Sequence, residues 1–507
     1  MSSRSSAASV RTAGTLAGIA LALSLTVVSS VAQSTLSSPL GALQRDIDLI
    51  LSAPVLNRGF WGVLVRNVDR DETLYSHNAA KLMMPASTMK VVTLAAAADK
   101  LGWDYTFSTR VFASGPISDG ILHGDLIVVG GGDPNIDDWD GVASRLFADW
   151  AAQLKSAGIR TISGRIIGDD NLFDDESLGA GWSLDDIASS FSANISALQF
   201  NQGSVQLRIA PGRAVGSKAV IAVTPDYSGL TINNRVTTGP PGSAVALARR
   251  RLPGASRLTL RGSVPLRMRP FNETASVENP TLYFVTALKH ALVADGIEVR
   301  GAAVDIDDVD PPPTRNAAAD PLLTYHSPPL SVIATTMMKL SQNLYAETLL
   351  KILGVDSNDR PTGTAMAGLA VIRSVLQGWN IDPAGALIQT DGSGLSRYNY
   401  ITPETMVAIL THIEREPRLR AMFEAALPVA GRDGTLEYRM KGTVAEGNAR
   451  AKTGSLTNVR SMAGFVKSAD GETLAFAIFA NNYENSSAVI NATSDEILVR
   501  LAGYQAH

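Results

Sequence analysis

The chain has 507 residues, of which 45% are hydrophobic and 18% charged, a composition typical of a globular protein with about two to four domains. Its 44 basic and 48 acidic residues leave a net charge of -4, which argues against a nucleic-acid or polyanion binder. Cysteine is absent, and this excludes disulfides, thiolate catalysis and zinc–cysteine sites.

The first 32 residues have the pattern of a secretory signal peptide. Arg4 and Arg11 precede an uncharged, mostly apolar run over residues 13–28, and small residues follow it up to a cleavage point after Ala32. A membrane anchor is the alternative, but the run is short for a full span. No later segment approaches about 18 consecutive apolar residues, so we expect no stable membrane span in the mature chain. We therefore expect an exported protein, located in the periplasm, or secreted or wall-associated where the source lacks an outer membrane.

The first part of the mature chain predicts helices around a strand pair. The expected elements are a helix at 40–51, strands at 61–65 and 73–75, and a helix that starts near Pro85 and ends before Gly102.

The character of the chain changes after residue 106. Short β-type runs separated by turns replace the helical patterns, and only residues 139–157 have a clear helical period. The runs are at 108–113, 125–129, 164–168, 205–209 and 257–260. We interpret residues 107–301 as an inserted β-rich module in two lobes, followed by an acidic, Pro-rich connector at 305–313.

Beyond the connector, helical periods return before a β-meander. Helices are expected at 330–340, 344–353, 364–378 and 403–415, strands at 449–453, 462–466 and 473–480, and a last helix at 487–501. Helices with an antiparallel sheet built from both chain ends make an α+β fold. The expected domains are thus a signal peptide (1–32), a main domain (33–106 and 302–507) and the inserted module (107–301).

Ser87 and Lys90 form the first candidate site. On a helix, positions three apart share a face with Cβ atoms about 5–6 Å apart, so a neutral lysine amine can accept the serine proton. Ser87 would also lie in the first turn, where free N–H groups and the positive helix end stabilise negative charge. Lys90 is the only lysine of eleven with a serine three residues before it. Taken alone, the pair also fits an ordinary capped helix start.

Lys452, Thr453 and Gly454 lie on a predicted strand. A strand edge with these residues presents a cation, a hydroxyl and, at the glycine, unobstructed backbone. It can pair with an extended peptide and offer the N–H of Ser455 to an oxyanion. Taken alone, the segment also fits a turn.

Ser341 and Asn343 are the third pair. Positions i and i+2 of a helix face apart, so a joint role requires a loop between the flanking helices. In such a loop the hydroxyl could relay a proton, and the amide could hold a lysine or a substrate carbonyl. Ser-x-Asn in isolation is weak evidence.

The three motifs occur together in the order Ser-x-x-Lys, Ser-x-Asn, Lys-Thr-Gly, which is found in penicillin-binding proteins and serine β-lactamases and predicts an acyl-serine enzyme. Over nearly the whole mature chain, the sequence resembles the class C low-molecular-mass penicillin-binding proteins, the D-alanyl-D-alanine carboxypeptidase/endopeptidases. The segments 345–347, 391–397 and 427–436 share in the resemblance. The spacing of 254 positions between Ser87 and Ser341 also fits this class, because its members typically have a large insertion there. Gln342 is a mild departure, because members often have Asn or Asp there.

The resemblance implies a transpeptidase fold of the β-lactamase type with a large insertion, and it implies catalytic roles. Ser87 would attack the carbonyl of the penultimate D-alanine, and Lys90 would be its general base. Ser341 would pass a proton towards the leaving amine. The expected reaction is hydrolysis of D-alanyl-D-alanine termini or cross-links of peptidoglycan stem peptides through an acyl-serine, with inhibition by β-lactams.

The resemblance also implies binding roles. Asn343 would orient the lysine and the substrate, and Lys452 and Thr453 would bind the terminal carboxylate. Gly454 would allow close approach, and the N–H of Ser455 would complete the oxyanion hole with that of the nucleophile. We further expect the positive charge of Lys452 to lower the pKa of the nearby general base, because like charges disfavour a second cation.

We expect no metal or organic cofactor and no nucleic-acid partner. The expected partners are peptidoglycan stem peptides and cross-links and β-lactam antibiotics, and the oligomeric state is left open, a homodimer included. A serine β-lactamase with the same groups is one alternative, which rapid penicillin turnover without D-alanine release would support. A non-catalytic wall-binding protein on a decayed enzyme fold is another. The sequence leaves open the balance between carboxypeptidase and endopeptidase activity and the preferred third stem residue.

Overall fold

The computed structural model describes residues 38–313, 320–355 and 362–506, so the predicted signal peptide lies outside the described residues. The helices are α1 (Pro39–Leu51), α2 (Met89–Leu101), α3 (Val142–Ser156), α4 (Pro280–Ala294), α5 (Leu330–Lys339), α6 (Asn343–Leu353), α7 (Ala365–Gly378), α8 (Pro403–Arg415), α9 (Pro417–Ala426) and α10 (Ser487–Ala502).

The strands up to residue 239 are β1 (Phe60–Asn67), β2 (Glu72–His77), β3 (Ser108–Ala113), β4 (Ile117–Ser118), β5 (Ile121–Leu122), β6 (Leu126–Val129), β7 (Thr161–Ile162), β8 (Ile166–Asp169), β9 (Ser204–Ala210), β10 (Val220–Thr224) and β11 (Thr231–Gly239). The later strands are β12 (Ala246–Arg250), β13 (Arg257–Pro265), β14 (Phe271–Ser276), β15 (Glu298–Val299), β16 (Ala303–Asp305), β17 (Leu323–His326), β18 (Leu387–Ile388), β19 (Tyr400–Ile401), β20 (Arg450–Leu456), β21 (Val459–Lys467) and β22 (Thr473–Asn481).

One antiparallel sheet joins the two ends of the chain in the order β2-β1-β22-β21-β20. The expectation of an α+β fold with a sheet from both chain ends is confirmed. Because both faces of this sheet are covered, its middle strand β22 is an almost continuous apolar run that is buried along its length. Side chains alternate between the faces, so that Val63 and Val65 pack with α1 and α10 while Leu64 packs with the other helices.

The helical layer on the second face surrounds α2. Residues 89–98 of α2 are all buried, and alanines at 95–98 let the neighbouring helices approach closely. Helices α6, α7, α8 and α9 pack around it in one apolar cluster. The start of α2 is thereby fixed between this layer and the sheet.

The region between the two halves has its own sheets and its own core. Its four sheets have the orders β16-β8-β6-β3-β17, β15-β7-β5-β4, β10-β9-β14 and β11-β13-β12. Their apolar side chains pack with α3 and α4, where Phe147, Trp150 and Phe284 contact one another. The division at 107 and 301 stays a prediction, and β16 and β17, which follow residue 301, pair with strands of this region.

Helix α4 is an element that the sequence pattern did not predict. Asn279 caps it by accepting a hydrogen bond from the Leu282 N–H, and Pro280 occupies its first position. Eight of its 15 residues are buried, so it lacks the polar face by which an amphipathic helix is recognised. Across 38–313, 320–355 and 362–506, the structure contains no helix with both the length and the apolar character that crossing a membrane requires.

Candidate active site

Ser87 lies in a tight turn immediately ahead of α2. The turn is a 3-10 segment, Ala86–Thr88, rather than the first turn of the α-helix that the sequence predicted. Ala86 adopts a φ of +46°, and Thr88 Oγ1 donates a 2.7 Å hydrogen bond to the carbonyl of Pro85. The left-handed residue redirects the chain so that Ser87 is half-buried, between the sheet and the helical layer.

The sheet anchors this turn from below. Asn481, at the end of β22, accepts a 2.7 Å hydrogen bond from the Met84 N–H and donates one of 3.1 Å to the Met84 carbonyl. Ser461 of β21 donates to the carbonyl of Pro85. The backbone before Ser87 is thus held by fixed side chains of two strands.

Lys90 is fully buried and has three close partners. Its Nζ donates to Asn343 Oδ1 at 2.6 Å and to the Ser393 carbonyl at 2.9 Å, and it lies 3.0 Å from Ser87 Oγ. The first two partners can only accept hydrogen bonds, so they use both N–H donors of a neutral amine. The lone pair that remains faces the hydroxyl of Ser87, which is the arrangement that a general base requires.

Burial lowers the pKa of Lys90 to about 7, while the carboxylates of Asp391 and Glu347 act in the opposite direction. The main cause is desolvation of the buried amine rather than the charge of Lys452, so the expectation that Lys452 sets this pKa is wrong. The repulsion between the two ammonium groups is mutual, and together with burial it lowers the pKa of Lys452. The lowered pKa brings the uncharged form of Lys90 into the neutral pH range.

Ser341 and Lys452 form a second contact, and Lys452 lies close enough to Lys90 for their charges to interact. Lys452 Nζ donates to Ser341 Oγ at 2.8 Å and to the carbonyl of Thr453 at 2.7 Å. Ser341 has a φ of +61° and lies between α5 and α6, so the predicted break between these helices is confirmed. The lysine therefore holds the hydroxyl, and a proton can pass between them.

Asn343 links the lysine to the inserted region. Its Oδ1 accepts from Lys90, and its Nδ2 donates to the carbonyl of Phe191 at 2.7 Å. The neighbouring Gln342 donates to Gln202 Oε1 at 2.6 Å. The variable middle residue of the motif thus fastens the loop to the inserted region.

Strand β20 is the edge strand of the main sheet and borders the nucleophile turn. A Cβ on Gly454 would lie 2.6 Å from the Pro85 carbonyl oxygen and 2.9 Å from the Ser87 nitrogen, so only glycine fits there. Thr453 Oγ1 donates to Thr435 Oγ1 at 2.7 Å, and Ser455 is exposed. Residues 449–451 at the start of this edge bond to the segment 428–430, and the part beyond them can take up an extended peptide beside Ser87.

The structure brings together every residue that the sequence analysis proposed for the site: Ser87, Lys90, Ser341, Asn343, Lys452, Thr453, Gly454 and Ser455. Two buried carboxylates behind Lys90 are further members to which the sequence analysis gave no role. Glu347 accepts hydrogen bonds from the Gly392 and Ser393 N–H groups at 2.9 and 2.8 Å, and Asp391 accepts from Gly394 at 2.7 Å. Glu347 and Asp391 lie in the segments 345–347 and 391–397, which share in the family resemblance, so the sequence did contain a signal for them.

These two carboxylates fix the loop that carries the Ser393 carbonyl to Lys90. The loop presses against the nucleophile turn, because a Cβ on Gly394 would lie 1.8 Å from the Ala86 oxygen. Burial, reinforced by Asp391, raises the pKa of Glu347. Glu347 thus positions the loop and, when ionised, places negative charge behind Lys90.

A separate acidic group lies in the inserted region and its boundary. Carboxylate oxygens of Asp170, Asp305 and Asp307 lie within 4.8 Å of one another. Asp170 accepts hydrogen bonds from Ser196 and Thr281 within the fold. Burial raises the pKa of Asp305 to about 6, with Asp170 acting in the same direction. Hydrogen bonds within the fold account for the carboxylates of Asp170 and Asp305, the side chain of Asp307 is exposed, and we assign the group no metal.

Comparison with known proteins gives one consistent set of matches. The family model of the D-Ala-D-Ala carboxypeptidase 3 (S13) family matches residues 43–503. A D-alanyl-D-alanine carboxypeptidase of Actinomadura sp. (strain R39) is 36% identical over 479 residues, covering 92% of this chain and 85% of that protein.

Solved structures agree with this match. Penicillin binding protein 4 (dacB) from Haemophilus influenzae has a TM-score of 0.79 at 27% identity, covering 90% of this chain and 99% of that one. The same protein complexed with a β-lactam has a TM-score of 0.74 at 27% identity, covering 91% and 99%. The α+β fold described above is therefore the fold of these penicillin-binding proteins.

Proposed function

This chain belongs to the D-Ala-D-Ala carboxypeptidase 3 (S13) family, and from that premise we propose how its own residues carry out the reaction. It is a serine-type D-Ala-D-Ala carboxypeptidase/endopeptidase, a low-molecular-mass penicillin-binding protein. It hydrolyses D-alanyl-D-alanine termini or cross-links of peptidoglycan stem peptides through an acyl-serine, and β-lactams inhibit it.

In the acylation step, Lys90 takes the proton of Ser87 while Ser87 Oγ bonds to the carbonyl carbon of the penultimate D-alanine. The C–N bond then breaks, and the leaving nitrogen takes a proton from Ser341 Oγ. Lys452 Nζ, 2.8 Å away, returns a proton to Ser341. Between the two steps the proton that Lys90 took from Ser87 is passed on to Lys452, which restores both lysines. In deacylation a water then gives one proton to the neutral Lys90 and its oxygen to the acyl carbon. Lys90 gives this proton to Ser87 Oγ as the bond between Ser87 and the acyl group breaks.

These assignments rest on the two hydrogen bonds that Lys90 Nζ donates to carbonyl oxygens. Two carbonyl acceptors occupy them, at 2.6 and 2.9 Å, so that the neutral amine has its lone pair towards Ser87. In this proposal the N–H groups of Ser87 and Ser455 donate hydrogen bonds to the oxyanion and stabilise its negative charge.

The substrate carboxylate also fits the electrostatics of the cavity. Lys452 is buried beside Lys90, and two cations there repel each other. A terminal carboxylate would supply the counter-charge that lets Lys452 be protonated while Lys90 stays neutral. The Thr453 hydroxyl, which donates to Thr435 in the free protein, would turn to donate to the same carboxylate.

The place of action and the assembly are further parts of the proposal. Peptidoglycan lies outside the cytoplasmic membrane, and residues 1–32 have the pattern of an export signal. We therefore place the mature protein in the periplasm or its equivalent. A homodimer stays a prediction.

Replacement of the nucleophile tests the assignment. Ser87→Ala should abolish both labelling by a fluorescent penicillin and release of D-alanine from a pentapeptide. Ser156→Ala, which removes an exposed hydroxyl at the end of α3, is the matched control and should change neither. Labelling or D-alanine release that persists in Ser87→Ala would show that the nucleophile is another residue.

A further inference from the structure

A groove of about 390 Å³ opens next to Ser341, between the catalytic motif and the inserted region. Leu340, Gln342 and Asn343 form one wall with Ser341, and the inserted region forms the other. A D-alanine leaving group is small for a groove of this size, which falls in the range of sites for whole ligands.

The wall from the inserted region is built on a small sheet. Gln206 of β9 lies directly opposite Thr274 of β14 in the antiparallel register, and both line the groove. Trp139 and Phe191 line it as well, and they are 39% and 46% exposed. Exposed aromatic rings beside amide and hydroxyl groups suit the aliphatic and peptide parts of an extended chain.

Ser341 fixes which part of a substrate reaches this groove. In the proposed reaction its Oγ gives a proton to the leaving nitrogen, so the groove begins on the leaving side of the scissile bond. The hydrogen bonds from Gln342 to Gln202 and from Asn343 to Phe191 hold the two walls together beside it.

We propose that this groove is the subsite for the leaving peptide of a cross-linked substrate, so that the inserted region contributes to endopeptidase activity. We call it the leaving-side groove, and its lining includes Trp139, Phe191, Gln206, Thr274 and Leu340. The proposal rests on the serine DD-peptidase mechanism above. The stem peptide that carries the acyl group would lie along β20, and the second stem peptide would enter the groove.

The test compares two substrates on the full-length mature protein. One is a monomeric pentapeptide muropeptide, from which D-alanine is released, and the other is a cross-linked dimer, which is cut to monomers. The variants are Trp139→Ala, which removes an aromatic wall, and Gln206→Arg, which fills the groove. Arg208→Ala is the matched control, because Arg208 lies two positions along the same strand and does not line the groove.

We expect kcat/KM for the dimer to fall at least tenfold in both groove variants, with D-alanine release and penicillin acylation within twofold of the parent protein. Equal losses on both substrates, or no loss on the dimer, would overturn the subsite assignment while leaving the peptidase mechanism intact. A parent protein that releases D-alanine but never cuts the dimer would also overturn the subsite assignment and leave the peptidase mechanism intact. A parent protein that cuts neither substrate and takes up no penicillin would instead overturn the proposed function, and the subsite with it.

Discussion

Lys452 Nζ and Ser341 Oγ lie 2.8 Å apart although 111 positions separate the two residues in the chain. This contact joins the edge strand of the main sheet to the loop between α5 and α6. In the proposed mechanism it gives one buried lysine two tasks, since Lys452 holds the proton-relaying hydroxyl of Ser341 and lies where the substrate carboxylate is expected. The Lys452–Ser341 pair therefore couples recognition of the substrate carboxylate to proton transfer.

Lys452→Ala should lower kcat/KM for a D-Ala-D-Ala peptide by roughly 30- to 5000-fold, because loss of one partner of a buried charge pair costs about 2–5 kcal/mol. The measurement is kcat/KM for the free acid and for the same peptide with a C-terminal amide. The parent protein should prefer the free acid, and the variant should lose that preference. Lys441→Ala, at an exposed lysine, is the control, and an undiminished preference in Lys452→Ala would contradict the carboxylate role.

The pH dependence of acylation reports on Lys90. Only the neutral amine can take the Ser87 proton, and burial sets its pKa at about 7. The second-order rate constant for benzylpenicillin should therefore rise with pH, pass half of its maximum near pH 7, and then level off. Stopped-flow or quench measurements between about pH 5 and pH 9 would show this, whereas a midpoint near the ordinary lysine pKa would contradict it.

Lys90→Arg is the companion variant for that profile. Arginine keeps its charge throughout the range, so no lone pair is offered to Ser87. Acylation should fall by about 10²- to 10⁴-fold at all pH values, and the sigmoid step should disappear.

Glu347→Gln tests the carboxylate behind the base. The glutamine amide has only one oxygen, so it cannot accept hydrogen bonds from both the Gly392 and the Ser393 N–H groups. The acylation rate at the high-pH plateau should therefore fall, by up to about 10²-fold for a 1 Å shift of the Ser393 carbonyl. Removing the negative charge also removes an influence that raises the pKa of Lys90. The acid limb of the acylation profile should therefore move to lower pH.

The shift in the acid limb separates an electrostatic role from a merely structural one. Glu414→Gln is the control, because burial raises the pKa of Glu414 too, yet Glu414 is not among the groups that influence Lys90. The control should leave the profile in place. An acid limb at the parent position or at higher pH in Glu347→Gln would count against the electrostatic role.

Gly454→Ala tests the contact between the edge strand and the nucleophile turn. The added Cβ would lie 2.1 Å from Ser461 Oγ and 2.9 Å from the Ser87 nitrogen, so the turn must shift. We expect acylation at least tenfold slower and a lower Tm, with overpacking costing about 1–3 kcal/mol. Gly378→Ala, in α7 with open space around the new methyl group, should keep full activity and an equal or higher Tm. Normal acylation by Gly454→Ala would contradict the close packing.

The sequence was most informative where a pattern is local. The strand pair β1–β2, the meander β20–β22 and helix α8 follow from alternation, turns and caps, and their predicted positions are confirmed within a few residues. The residues of the three motifs could be identified because nucleophile, base and strand edge have characteristic spacings. Helix α4 was not predicted, because it is buried on most sides and its sequence therefore shows little amphipathic periodicity.

What the sequence could not supply is the contact between distant segments. Nothing local in Glu347 indicates that its carboxylate receives the N–H groups of residues 45 and 46 positions away. The cause of the lowered pKa of Lys90 also depends on burial, which is a property of the folded core rather than of the neighbouring motif. The groove beside Ser341 likewise exists only because the inserted region folds back against it.

The most direct test of the account is to locate the penicillin adduct. The protein would be incubated with benzylpenicillin, digested with trypsin and analysed by mass spectrometry, where the peptide 82–90 contains Ser87 and ends at Lys90. The account predicts one acyl group per chain, on Ser87. An adduct on the peptide that contains Ser341, or no adduct at all, would contradict it.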